Sequence, residues 1–257
     1  MSGWARIKFF WKRMLGEAGS DLWASSTRPG FDVSNIHNMM ETNMWMADTS
    51  AGPHYITYDA GEGKTAAADY LAISGHNLSS LAALVSLQYS IDGQGYTDAF
   101  APFTPAADSS FVREFANPGA NRFWRVKVEN TPSQPYLSIC IWGESTELDY
   151  ATASFDPHEQ EVRTSVNLSQ GGYLAGAHAH YTERSLSFRI EDADEALYEK
   201  ISEWREGSGL RNFFVMWEPS GHPEEVYLMR PEPRFANPLK AGGSRRDIFI
   251  NLKGRKE

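Results

Sequence analysis

The chain has 257 residues, room for two domains of ordinary size, and 41% of them are hydrophobic, enough to bury a core in each. A formal net charge of −9 counts against non-specific nucleic-acid binding, which needs a positive surface. The single cysteine, Cys140, leaves no intrachain disulfide, so packing alone must hold the fold, as suits assembly in a reducing cytoplasm.

The opening stretch alternates Ala5, Ile7, Phe9 and Trp11 with Arg6, Lys8 and Phe10, which predicts a strand; a short basic amphipathic helix is the alternative. It has no uninterrupted apolar run, so neither a signal peptide nor a membrane span is expected. Residues 16–50 are turn-rich, with a short apolar segment around Trp45. Tyr55-Ile56-Thr57-Tyr58-Asp59 alternates and reads as a strand. The stretch 68–98 organises the first half. Strands over 70–74 and 84–90 flank a polar loop, Gly75-His76-Asn77-Leu78-Ser79-Ser80. In the second strand Leu84, Ser86, Gln88 and Ser90 share one face, and Val85, Leu87, Tyr89 and Ile91 the other, the period-2 pattern of a half-buried strand. Asp92-Gly93 supplies hairpin-turn chemistry.

Prolines 102 and 105 make 99–109 a loop. Strands follow at 123–128, with Arg125 and Lys127 on the polar face, and at 136–142, where Cys140 reads as a small buried hydrophobe. Residues 144–156 are polar and acidic and read as a junction. Beyond it come strands at 162–168 and 182–190 around a Gly171-Gly172 turn. A helix follows, capped by Asp194 and running to about Arg205, with Leu197, Ile201 and Trp204 as its apolar stripe. Gly207-Ser208-Gly209 stops it. Three more strands are expected at 213–217, 226–229 and 248–252. Many short strands, frequent Gly and Pro turns and one helix predict an all-β chain: an N-terminal β-sandwich, residues 1–148 including the first strand, then a second antiparallel β-sandwich domain, residues 149–257, carrying the helix.

The order of motifs from Trp23 to Leu148 resembles the discoidin-like, galactose-binding-like jelly-roll sandwich, also called the coagulation-factor type C domain. The matching residues are Ala24-Ser25-Ser26, Pro29-Gly30-Phe31, Val33-Ser34-Asn35-Ile36, Trp45 and Tyr55-Ile56-Thr57-Tyr58-Asp59-Ala60-Gly61. Tyr70-Leu71-Ala72-Ile73, Gly75-His76-Asn77-Leu78, the 85–93 strand and turn, and Phe123-Trp124-Arg125-Val126 continue the series. Tyr58 and Ala60 depart from the family's usual aliphatic residues, and its disulfide has no counterpart, which argues against a secreted role. The Gly75-His76-Asn77-Leu78 variant is most similar to versions in bacteriophage and prophage tail proteins. Asn167-Leu168-Ser169-Gln170-Gly171-Gly172-Tyr173, Phe213-Phe214-Val215-Met216-Trp217-Glu218 and Pro223-Glu224-Glu225-Val226 are similar to their companion domain.

That resemblance implies a structural component of a phage or phage-like tail, at the distal tip or baseplate, made in the host cytoplasm and resident in the virion. Its partners would be other tail proteins and copies of itself in a ring. The alternative is a carbohydrate-binding module contacting host surface polysaccharide. Trp45, His76 and Asn77 are the candidate ligand-binding residues, with a Trp plugging the sandwich and a turn-closing His-Asn pair as the structural readings. His178 and His180, two apart on a strand, would share a face and could ligate a metal, with Glu183 or Asp192 as a third ligand. Asp48, Asp59 and Glu62 are the loop carboxylates that calcium could use. Gly61-Glu62-Gly63-Lys64-Thr65 lacks the first glycine of a P-loop, and Glu191, Asp192, Asp194 and Glu195 read as a helix start. No Gly-x-Ser-x-Gly or His-Glu-x-x-His occurs. No catalytic residue and no cofactor are therefore expected.

Overall fold

The computed structural model describes residues 6–256; Ala5, where the expected first strand begins, lies outside the described residues. The strands in chain order are β1 (Arg6–Phe10), β2 (Asp21–Ala24), β3 (Trp45–Met46), β4 (His54–Asp59), β5 (Tyr70–His76) and β6 (Leu84–Ser90). Then come β7 (Thr97–Asp98), β8 (Phe111–Glu114), β9 (Phe123–Glu129), β10 (Tyr136–Gly143), β11 (Thr146–Tyr150), β12 (Gln160–Leu168) and β13 (Leu174–Ala193). After helix α1 (Glu195–Ser208) the chain adds β14 (Phe213–Met216), β15 (Val226–Pro231), β16 (Leu239–Lys240) and β17 (Arg245–Arg255). The fold is all-β with one α-helix among the described residues, and the pairs within the two sandwich sheets and those joining β12, β13, β15, β16 and β17 are antiparallel, as the sequence predicts.

Two compact units divide the chain. One, the sandwich unit, comprises Phe9–Thr146 with Glu224–Val226; the other takes the chain up to Lys8, Glu147–Pro223 and the residues from Tyr227 onward. The first strand thus begins in the C-terminal unit, not in the first domain. The cause is pairing: β1 lies between β11 and β14 in one sheet.

The sandwich unit has a four-stranded sheet, β3-β10-β5-β8, and a five-stranded sheet, β2-β4-β9-β6-β7. Alternation on β9 sends Trp124, Val126 and Val128 into the core and leaves Phe123, Arg125, Lys127 and Glu129 outward. Central strands β5 and β10 are buried on both faces, because the 3-10 segment Val33–His37 packs on β10 and Phe10 meets Tyr70 edge-on at 5.0 Å. Tyr70, Trp124 and Trp142 are fully enclosed, each removing enough apolar surface to contribute about 2–3 kcal/mol.

Several expectations need correction. β5 does not end before Gly75 but runs through His76, which pairs with Leu137. Gly75 allows this, with φ +63° and no room for a Cβ, which would lie 2.7 Å from Ser138 Oγ. The polar face of β6 is not open: Ser86, Gln88 and Ser90 are buried, while Ile91, past the strand's end, is exposed. The expected junction contains β11, and β8 lacks an alternating pattern that would have announced it.

The other unit is built on an eight-stranded sheet, β11-β1-β14-β15-β17-β13-β12 with β16 beside β17. Leu186, Phe188 and Ile190 of β13 and Ile248, Ile250 and Leu252 of β17 point to the buried side. Asp194 caps α1 by accepting the Leu197 amide at 2.9 Å, and Leu197, Ile201 and Trp204 are buried as the stripe predicts. The helix runs on to Ser208 and stops at Gly209, whose φ is +58°. β13 starts at Leu174, eight residues before the expected strand. From Glu183 onward it has β17 as a second neighbour; before that only β12. Residues 162–182 therefore form a two-stranded ribbon, anchored at its base where the Thr182 carbonyl accepts the Lys256 amide at 2.9 Å and Arg163 and Tyr181 line a cleft with Arg230 and Pro231.

Candidate functional site

The three candidate ligand-binding residues, Trp45, His76 and Asn77, belong to the sandwich unit. Trp45 is fully buried. Its Nε1 donates to the Ser26 carbonyl at 3.1 Å, and its ring meets His54 edge-on. No indole face is left for a sugar. His76, also buried, donates from Nε2 to the Ser109 carbonyl at 3.0 Å and presents Nδ1 to the Leu78 amide at 3.2 Å. Asn77 donates to the Gln134 carbonyl at 3.1 Å and accepts the Tyr136 amide at 3.0 Å, holding its loop on the start of β10. Asp108, which the sequence did not flag, closes the same loop by accepting the Ser79 and Ser80 amides, and these bonds help hold its carboxyl below the usual range against desolvation.

Of the loop carboxylates that calcium could use, Asp59 is committed to an ion pair. Asp59 accepts Arg122 Nε and Nη2 at 2.7 and 2.8 Å, and that guanidinium lowers its pKa. Gly61 and Gly63 sit in a turn at positive φ, and Lys64 donates to the Ala18 carbonyl. Asp92 accepts the Gln94 and Gly95 amides in its turn and is shifted down by them. Cys140 is enclosed, and burial pushes its thiol pKa well up, away from thiolate chemistry.

His178 and His180 lie on the ribbon, exposed, with ring centroids 4.9 Å apart; the Ser165 hydroxyl is 2.6 Å from His180 Nε2. The third ligands considered for them are engaged elsewhere. Glu183 accepts Arg163 and faces Arg230, and Asp192 faces Lys240 at 3.1 Å. Glu191 pairs with Arg189 and Asp194 caps the helix.

A different group is brought together on the outer face of the five-stranded sheet. The register places Trp23 beside Thr57, Thr57 beside Arg125, Arg125 beside Gln88 and Gln88 beside Asp98, one row across all five strands. Trp23 is 45% exposed. The Arg125 guanidinium is held between two phenol rings, 4.3 Å from the Tyr55 centroid and 3.6 Å from that of Tyr96. Its Nε donates to Gln88 Oε1 at 2.7 Å, and Gln88 Nε2 donates on to Asp98 Oδ1 at 2.8 Å. Aromatic faces beside fixed amide, guanidinium and carboxylate groups can stack on an apolar ring face and hydrogen-bond the hydroxyls at its rim. In sequence, the outward placement of Arg125 and Lys127 and the polar face given to Gln88 pointed here.

No protein-family model matches the chain, and no curated protein matches it. Among solved structures it is similar to a GH29 fucosidase of Ruminococcus gnavus in complex with fucose, at 16% identity and a TM-score of 0.45, over 54% of this chain and 28% of that one. It is also similar to a carbohydrate-binding module, CBM32-5, of Clostridium perfringens in complex with GalNAc-β-1,3-galactose, at 12% identity and a TM-score of 0.41, covering 49% of this chain and 95% of that one. A chitosan-binding module from a Paenibacillus chitosanase/glucanase gives 17% identity and a TM-score of 0.42 over 51% and 98%. The chain thus spans little more than a quarter of the fucosidase's length. Among the described residues no helix is long and apolar enough to cross a membrane.

Proposed function

We propose that this chain is a non-catalytic subunit that works by contact, assembling with copies of itself and with other tail proteins at the distal tip or baseplate of a phage or phage-like tail. The observation that carries the assembly reading is the ribbon of residues 162–182. Val162, Val166, Leu168, Tyr173 and Leu174 are each more than half exposed on it, an apolar display that a solitary soluble protein does not keep. The tail setting rests on the order of motifs described from the sequence. Mass analysis and cross-linking of purified tail particles test it: the chain should be present in several copies per particle, and its absence removes the reading.

A second reading, carbohydrate contact, draws on the Trp23, Tyr55, Tyr96 and Arg125 face, which offers the aromatic and polar groups that saccharides use. It moves the contact from Trp45 and His76, which are enclosed, to a sheet face on which Trp23 is exposed and Tyr55, Tyr96 and Arg125 are half-buried. On a glycan array the native chain should bind at least one host-surface saccharide, and Trp23→Ala or Arg125→Ala should weaken that binding at least tenfold. Retained binding in both variants would dismiss this face.

A further inference from the structure

We infer that the tip of the ribbon docks into a groove on the eight-stranded unit of a second copy of this chain, so that copies join head to tail. The inference rests on the assembly reading above and names its two surfaces.

The knob comes first. Paired strand residues project to the same side, and alternate residues of one strand do too. On β12, Val162, Thr164, Val166 and Leu168 alternate onto one face, and Ala179, Ala177 and Leu174 stand opposite the last three, with bulges on β13 between Tyr181 and Ala179 and between Gly176 and Leu174. Leu168 and Leu174, 63% and 66% exposed, close its end beside Tyr173, 79% exposed. Exposed strand edges are ordinarily protected by charged side chains. Here residues 164–182 contain no Asp, Glu, Lys or Arg, in a chain that is 22% charged. A two-stranded ribbon is marginal alone in water, so an arm of this length asks for a surface to rest on.

The hole is on the same unit. Ala236, Pro238 and Phe249 are the apolar lining of a groove that Arg234, Asn237 and Asn251 complete; the Arg189 guanidinium lies 4.8 Å from the Phe249 ring centroid, and Leu239 adjoins the groove at 56% exposed. Phe249 stands on the opposite side of β17 from buried Ile248 and Ile250 and keeps more than a third of its surface open. A chain cannot fill its own groove. Phe249 pairs with Arg189, fifteen residues along β13 from Leu174, roughly 50 Å at about 3.3 Å per residue. An apolar knob and an apolar groove at separate places on one molecule give a heterologous contact, which closes a ring or runs on as a filament. The docking face and tip supply eight residues to that contact, fewer than one partner brings to an interface of standard size, so this is a small contact.

The test is light scattering on the purified full chain and on two exposed-site variants, Leu168→Asp with Leu174→Asp in the arm and Leu239→Asp in the groove, with Phe249→Asp as a second groove variant. Circular dichroism checks that each is folded. The native chain should be multimeric at micromolar concentration. Each variant alone should fall to the mass of one chain, with association weakened at least a hundredfold. An equal mixture of arm and groove variants should stop at the dimer, because one intact knob still meets one intact hole. A monomeric native chain, variants that multimerise like the native chain, or a mixture that stays monomeric each overturn the inference. Multimers broken by these variants but absent from tail particles would leave this contact standing and remove the tail setting; particles that contain the chain while the variants multimerise unchanged would do the reverse.

Discussion

Gly75 shows how much one position can decide. Its left-handed backbone lets β5 continue into His76, and its missing Cβ leaves space for Ser138. Gly75→Ala should cost about 1–3 kcal/mol in a urea melt, because both the dihedral and the contact go against it. Asp247 makes a prediction of another kind. The Lys240 ammonium at 2.7 Å, and behind it the Arg189 guanidinium at 2.5 Å, hold its pKa at about 2, down from 3.8. A carboxylate depressed by folding adds stability above its unfolded pKa, and that contribution is lost as the pH falls through the folded value. Asp247→Asn should therefore lower the urea midpoint most at neutral pH, and the gap to the native chain should close between about pH 4 and pH 2. At this scale the sequence was legible where a residue acts on its neighbours. Asp194 as a cap, Asp92-Gly93 as a turn and Cys140 as an inert interior thiol all depend on local chemistry. Trp45 was legible only as an aromatic with two possible uses, because whether a Trp faces solvent depends on Ser26 and His54 arriving from elsewhere in the chain.

At the scale of elements, the bounds of β6 were read to the residue, because alternation over seven positions is a strong signal, while the burial of its polar face was not. α1 was read to within a turn of its end for the same reason, with its period of 3.6. Trp204, buried against Phe213 with ring centroids 5.3 Å apart, secures that helix. Trp204→Ala should cost about 3–5 kcal/mol, measured by denaturant unfolding followed at the helix signal. The ribbon was half missed, since residues 174–181, rich in alanine, glycine and histidine, lack the branched side chains that mark strands. Only the partner strand β12 makes them one. Hydrogen exchange gives its prediction: amides of 162–168 and 174–181 should exchange fast under conditions that keep the chain monomeric and be protected at least tenfold in the multimer. The Trp23 row was illegible for a related reason. Its members stand at positions 23, 57, 125, 88 and 98, and the strand order β2-β4-β9-β6-β7 that aligns them follows no sequence rule.

At the scale of the whole molecule, the all-β architecture followed from punctuation and periodicity, while the assignment of the first strand did not. Nothing local to Ile7 or Phe9 says that their neighbours are β11 and β14. That arrangement imposes a timetable on biosynthesis. A ribosome adding 5–20 residues per second needs roughly 10–40 s between releasing β1 and releasing β14. During that interval the intervening segment Phe9–Thr146 can already collapse, while the leading strand waits with one flank bare. A nascent chain arrested after residue 208 should accordingly protect the Trp124 and Trp142 core from protease and leave residues 160–193 open to cleavage. Translation speed between the codons for residues 10 and 216, rather than the stability of either finished part, would then govern how much of the product escapes mispairing.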